Sequence, residues 1–144
     1  MARSLELETI VHATEDLDKV VEAVMNVLPT RARRRLRLKV KELKGHYGNP
    51  IKLLRARTRD ASLASAVLRH VIASLPNPER AEVITNLERR LSGGFLFLRL
   101  DKQRAFLGEV RLCEVDPIWM KFSLVSSKPD EVRKALEEAC GEHG

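Results

Sequence analysis

The sequence contains few of the residues that build disulfide frameworks and thiolate metal sites. Only two of its 144 residues are cysteine, Cys113 and Cys140, and neither belongs to a CxxC pair. This pattern argues against zinc ribbons, dithiol redox motifs and disulfide-stabilised folds. We therefore expect two reduced thiols, no metal and no cofactor.

Long hydrophobic runs are also missing. No apolar stretch approaches the roughly 18 residues that a membrane-spanning helix needs, and the first residues contain no apolar core or cleavage motif of a signal peptide. Hydrophobic residues still make up 44% of the chain, enough for a core of ordinary size. We expect one domain, residues 1–144, in the cytoplasm.

Negative charge is scarce in one segment, residues 31–59. Twelve basic residues stand there against one acid, Glu42, for a net charge of +11, although the whole chain carries only +6. The twelve are Arg31, Arg33, Arg34, Arg35, Arg37, Lys39, Lys41, Lys44, Lys52, Arg55, Arg57 and Arg59. The protein should therefore have a basic surface and an acidic remainder.

Charged and uncharged residues alternate in the basic segment, a pattern typical of two half-buried strands. Residues 35–41 predict a strand with Leu36, Leu38 and Val40 towards the core and with Arg35, Arg37, Lys39 and Lys41 on the other side. Residues 55–59 repeat the pattern with Arg55, Arg57 and Arg59. The turn-forming residues 45–50 should join strands 34–44 and 51–59 in a hairpin. Seven cations would then share one surface of the sheet.

This charge row has two further interpretations besides a polyanionic ligand. It could simply solubilise an exposed sheet face, although like charges on neighbouring strands destabilise a sheet unless something offsets them. An anionic membrane surface is disfavoured because the apolar anchors of interfacial elements are absent beside the row. Same-face residues on a strand are about 6.7 Å apart, close to the spacing of successive phosphates, which favours nucleic acid.

The rest of the chain mixes strands and helices without a regular repeat. Strands are predicted over 5–13, 95–100, 105–112 and 118–125, with 95–100 central in the sheet. Helices are predicted over 17–28, from Asp60 to Leu75, from Asn77 to Leu91, and from about Ser127 to Ala139. This order predicts an α+β two-layer sandwich, in which helices cover one face of a mixed or antiparallel sheet.

Two short segments carry unusual polar chemistry. In residues 45–51, GHYGNPI, a base could stack on His46 or Tyr47 while Asn49 contacts an edge or a ribose hydroxyl; alternatively, the segment is a tight hairpin whose rings pack over the strand ends. In residues 100–108, Lys102, Gln103 and Arg104 could contact phosphates or bases. The alternative there is an irregular connection in which Asp101 pairs with a neighbouring base.

Together, GHYGNPI at 45–51 and LDKQRAFLGE at 100–109 resemble an archaeal family of predicted RNA-binding proteins proposed to associate with the exosome. The opening LELETIVHATED and the order of elements extend the resemblance over essentially the whole chain. It implies the fold of the large-subunit ribosomal protein that binds five-S RNA, and a non-catalytic role with RNA. The family motif falls on residues 45–49 and on Asp101, Lys102 and Gln103, with Arg104 and Phe106 as mild departures.

The sequence therefore predicts an RNA-binding protein, with the exosome or another ribonucleoprotein as a further partner. The predicted contacts are Arg33, Arg35, Arg37, Lys39, Lys41, Lys44, His46, Tyr47, Asn49, Arg55, Arg57, Arg59, Lys102, Gln103 and Arg104. With one Trp and one Tyr in the chain, extensive base stacking is not expected.

Two rival functions remain open. One is a metal-independent ribonuclease with His46 as acid or base and Lys102 stabilising the transition state. The other is an assembly factor that binds protein through the acidic final helix, which carries Glu131, Glu137 and Glu138.

Overall fold

The computed structural model describes residues 1–44 and 49–143, with side chains described up to Cys140. The strands are β1 Ala2–Val11, β2 Lys39–Lys44, β3 Pro50–Thr58, β4 Leu91–Ser92, β5 Phe95–Leu100 and β6 Ile118–Leu124. The helices are α1 Leu17–Asn26, α2 Thr30–Arg35, α3 Ala61–Ser74, α4 Asn77–Thr85, α5 Lys102–Phe106 and α6 Pro129–His143.

The six strands form one antiparallel sheet in the order β2-β3-β1-β6-β5-β4. β1 lies in the middle, paired with β3 on one side and β6 on the other. β2 is an edge strand, and β5 has only the two-residue β4 on its outer side. The sequence expectation that residues 95–100 lie at the centre was therefore wrong.

The two faces of the sheet differ because side chains alternate along each strand. One face packs on the helices and buries apolar residues such as Leu7, Leu54, Phe122 and Leu98. α3 packs against β1, and α6 packs against α3. The other face carries no helix among the described residues, so the predicted α+β two-layer sandwich is confirmed.

Local capping explains where the central helix begins. The Asp60 side chain accepts a hydrogen bond of 3.1 Å from the Leu63 backbone N–H at the start of α3. That bond, together with the nearby Arg35, lowers the pKa of Asp60 below its ordinary value.

Among the described residues, none of the helices has the length and apolar character needed to span a bilayer.

The predicted strand over residues 35–41 is only partly present. Arg35 ends helix α2, residues 36–38 are extended but unpaired, and β2 begins at Lys39. Leu28, Ala32 and Leu36 are buried while Thr30 and Arg34, midway between them, are exposed, a pattern that favours a helical turn over a strand, in which every second residue shares one face. Val40 lies on the helix side of the sheet as expected, opposite the buried Leu54, but it is 46% exposed because the helix layer does not extend beneath this edge strand.

The predicted strand over residues 105–112 was also wrong. Asp101 caps α5 by accepting a hydrogen bond of 2.9 Å from the Arg104 N–H. The chain then turns at Gly108, whose φ of +85° suits glycine. Only an isolated bridge between Leu100 and Leu112 remains of the expected pairing.

Candidate nucleic-acid interface

Six of the predicted contact residues converge on one depression at the β2–β3 side of the sheet. We call this depression, which has a volume of about 610 Å³, the basic groove. Its cations are Arg35, Arg37, Lys39, Lys41, Arg55 and Arg57. The sequence hypothesis that this segment forms a concentrated basic surface therefore agrees with the geometry.

Different local structures bring these six side chains together. Lys39 lies opposite Arg55 in the β2–β3 register, and Lys41 lies opposite Leu53, so these residues share the open face. Arg35 and Arg37 reach the groove from the end of α2 and the segment after it. Burial of Ala32 and Leu36 holds that segment against the core.

Carboxylates neutralise only part of this charge. Arg35 Nη2 lies 3.3 Å from Asp60 Oδ2, and Arg55 Nη2 lies 3.0 Å from Glu8 Oε1. Arg37, Lys39, Lys41 and Arg57 form no ion pair within the described part of the chain. Four cations of the groove are thus available to an anionic ligand.

Three other predicted cations lie away from the groove. Lys44 is opposite Pro50 and on the same face as Val40, which is the reverse side of β2. Arg33 donates from Nε to the Leu28 carbonyl at 2.9 Å and lines a separate depression near Pro76. Arg59 is exposed just beyond the end of β3. Arg59 does not line the basic groove, so its place in a seven-cation surface stays a prediction.

The hairpin segment is only partly described. His46 and Tyr47 lie outside the described residues, so their contacts with bases stay predictions. Asn49 is exposed immediately before β3. The flanking residues Lys44 and Pro50 pair at the end of the sheet where β5 leads into α5.

Lys102 has a structural role that the sequence did not reveal. Its side chain is only 4% exposed. Nζ donates to the Ile10 carbonyl at 2.7 Å, to Glu15 Oε1 at 3.0 Å and to Asp116 Oδ2 at 3.0 Å. An ammonium has three hydrogens to donate, and all three are used. These bonds argue against the predicted contact of Lys102 with phosphate and against a role in a ribonuclease transition state, and both stay untested predictions.

The neighbours of Lys102 remain at the surface. Gln103 borders a depression with Thr14, Asp16 and Phe106. Arg104 is half-exposed, and its Nη1 lies 3.5 Å from Glu109 Oε2. Four strand spacings, roughly 19 Å, separate β2 from β5, so these residues belong to a different part of the surface from the basic groove.

His12, Glu15 and Asp116 bring three metal-type ligand atoms within 4.8 Å of one another. The Lys102 ammonium already lies between the two carboxylates, and its charge would repel a metal ion there. Burial alone would raise the pKa of Asp116, but hydrogen bonds from His12 and Lys102 outweigh it and lower that pKa. The cluster is consequently an internal ion network that ties β1, α5 and the segment before β6.

Sequence reasoning did not identify a second group on the open face. Phe95, Phe97 and Arg99 of β5 and Trp119 and Lys121 of β6 all project there. The signal was present in the alternation of β5, where Leu96, Leu98 and Leu100 are buried and the residues between them are not. The mostly apolar composition of that strand concealed it.

The model of a protein family described as RNA binding matches residues 4–124 of the chain. This chain belongs to that RNA-binding family. The matched range runs from within β1 to the end of β6 and includes every residue of the basic groove.

Proteins of several archaea are similar to this RNA-binding family member. An uncharacterized protein of Methanocaldococcus jannaschii is 34% identical and is matched over 98% of this chain and 99% of its own length. An RNA-binding protein of Pyrococcus abyssi is 30% identical over 95% and 92% of the two chains. A crystal structure of a protein from Archaeoglobus fulgidus is 33% identical, with a TM-score of 0.78 over 97% of this chain and all of that one.

Proposed function

We propose that this protein binds RNA through the basic groove, without catalysing a reaction on it. The observation that carries the proposal is the convergence of six cations on one depression, four of them without a carboxylate partner in the described residues. Arginine can hold a phosphate by two parallel hydrogen bonds, whereas lysine acts as a point charge. Family membership and the name of the Pyrococcus abyssi relative support the choice of RNA.

A matched pair of double variants tests this site. Replacing Lys39 and Lys41 by Ala removes two groove charges, and replacing Lys128 and Lys134 by Ala removes two exposed charges beside or within α6. We expect the groove variant to bind RNA about 10-fold or more weakly at low salt. With fewer cations in contact with phosphates, binding releases fewer counterions from the RNA, and the affinity falls. The α6 variant should bind like the unmodified protein.

Equal losses in the two variants would show that only net charge matters and would contradict the proposed site. Equilibrium binding to a labelled RNA provides the measurement, and circular dichroism checks that both variants are folded. Incubating the same RNA with the protein tests the non-catalytic part of the proposal, because cleavage that is lost in His46→Ala would contradict it.

We infer a more specific setting from the resemblance of GHYGNPI and LDKQRAFLGE to proteins proposed to associate with the exosome. This is a role in RNA processing, with the exosome or another ribonucleoprotein as partner, on a fold like that of the ribosomal protein that binds five-S RNA. Co-purification from source cells, with sequencing of the bound RNA, tests it. Recovery of the protein without RNA or ribonucleoprotein components would contradict this setting. The proposal that the basic groove binds RNA would still be tested by the two double variants.

A further inference from the structure

The open face of the sheet has an aromatic side as well as a basic side. We call Phe97, Trp119, Lys121 and Arg99, together with Phe95, the aromatic half-face. Phe97 is 38% exposed, and Trp119 is half-buried with its side chain on the same face. Three of the six aromatic residues of the chain are thus on the face that no described helix covers.

Strand register aligns this half-face with the basic groove. One row across the sheet consists of Lys39, Arg55, Glu8, Trp119 and Arg99, in the order β2, β3, β1, β6 and β5. The next row on the same face consists of Arg57, Glu6, Lys121 and Phe97. In each row an aromatic ring and a groove arginine lie on opposite sides of a glutamate on β1.

Distances along the first row suit one bound strand of nucleic acid. Arg55 and Trp119 are separated by two strand spacings, about 10 Å. The strip between them attracts phosphates little, because Glu8 already pairs with Arg55 and Glu6 adds negative charge. A bound RNA would therefore keep its phosphates in the basic groove and direct its bases across β1 towards the rings.

The rings differ in whether another side chain already covers them. The Lys121 ammonium lies 4.2 Å from the centroid of the Phe95 ring, a cation–π contact that covers that ring. Phe97 makes only a tilted contact with Phe95, at 6.4 Å between centroids. Phe97 and Trp119 are consequently the rings that can accept a base.

We propose that the aromatic half-face stacks the bases of single-stranded RNA on Phe97 and Trp119 while the basic groove holds the phosphates. This inference rests on the proposed function and specifies its ligand. Bases in a duplex are already stacked and paired, so they cannot lie on protein rings, whereas unpaired bases can. Stacking of this kind tolerates any base sequence because every base has a π-face.

Trp119 provides a direct test because it is the only tryptophan of the chain. Titration with a short single-stranded RNA should quench the tryptophan fluorescence, since a stacked base contacts the indole. Inorganic polyphosphate carries the charge without bases, so it should compete for the basic groove and leave the fluorescence unchanged. A duplex of the same sequence should bind more weakly and cause little quenching.

Two matched phenylalanine variants complete the experiment. Phe97→Ala should weaken binding of single-stranded RNA about 5-fold or more and leave polyphosphate binding unchanged. Phe106→Ala is the control, because Phe106 is 37% exposed but lies on α5, away from the open face. It should bind both ligands like the unmodified protein.

The failure of this inference is distinguishable from failure of the proposed function. RNA that binds and loses affinity in the Lys39→Ala/Lys41→Ala variant, yet leaves Trp119 fluorescence and Phe97→Ala affinity unchanged, would overturn the stacking proposal alone. Equal affinity for the duplex would also overturn it. RNA binding that does not depend on Lys39 and Lys41 would instead overturn the basic groove.

Discussion

Arg55 and Glu8 lie directly opposite each other on β3 and β1, with Arg55 Nη2 3.0 Å from Glu8 Oε1. This pair marks the boundary between the basic groove and the acidic residues of the central strand. Exposed pairs of this kind contribute little to stability. Its importance is that the carboxylate neutralises a cation that could otherwise contact phosphate.

Changing Glu8 to Gln should strengthen RNA binding. The substitution keeps the shape of the side chain but frees the charge of Arg55, which adds about one phosphate contact. For a single strand, the slope of log affinity against log salt should become more negative by about 0.7. Fluorescence anisotropy at several salt concentrations measures this change.

Glu109→Gln is the control, because Glu109 pairs with Arg104 outside the basic groove. This variant has the same net charge as Glu8→Gln. Its affinity should rise much less. Weaker binding by Glu8→Gln would show that the ion pair orients Arg55 for its ligand and would contradict the expectation.

Changing Lys102 to Met should lower the free energy of unfolding by about 2 kcal/mol, because two carboxylates lose their shared ammonium partner. Affinity of the folded variant for RNA should be unchanged. Urea denaturation and RNA titration measure the two quantities separately. Lys128→Met serves as the exposed control and should affect neither. A Lys102→Met protein of normal stability and reduced RNA affinity would restore Lys102 as a phosphate contact.

Stability at acidic pH should depend on Asp116. Its hydrogen bonds with His12 and Lys102 lower its pKa in the folded state, so its contribution is present above the ordinary aspartate pKa and is lost as pH falls through the lowered value. Asp116→Asn should therefore be less stable near neutral pH and lose less stability on acidification. Asparagine also tolerates the φ of +47° at this position. Parallel pH profiles of the free energy of unfolding would contradict this account.

The sequence predicted the fold class because most elements carry their own local signals. The alternation of β6, the cap at Asp60 and the proline at the start of α4 are such signals, and the structure has the corresponding strand and helices. Residues 35–41 were harder, because alternating charge resembles a strand while Leu28, Ala32 and Leu36 are buried with exposed residues midway between them, as in a helical turn. Contacts with the core decided between the two.

The candidate site was predictable where it depends on composition and not where it depends on register. Concentration of cations in residues 31–59 pointed to the basic groove. The alignment of Arg55 with Glu8 and Trp119 follows from pairing of three distant segments, which no local pattern encodes. Lys102 also looked like an exposed cation, because its partners Glu15 and Asp116 are 87 and 14 residues away in the sequence.

The salt dependence of RNA affinity tests the central claim most directly. Four to six groove cations in contact with a single strand predict a slope of log affinity against log salt of about −3 to −4. The Lys39→Ala/Lys41→Ala protein should have a slope less negative by about 1.4, while Lys128→Ala/Lys134→Ala should keep the original slope. A flat response, or equal slopes in all three proteins, would contradict an RNA interface at the basic groove.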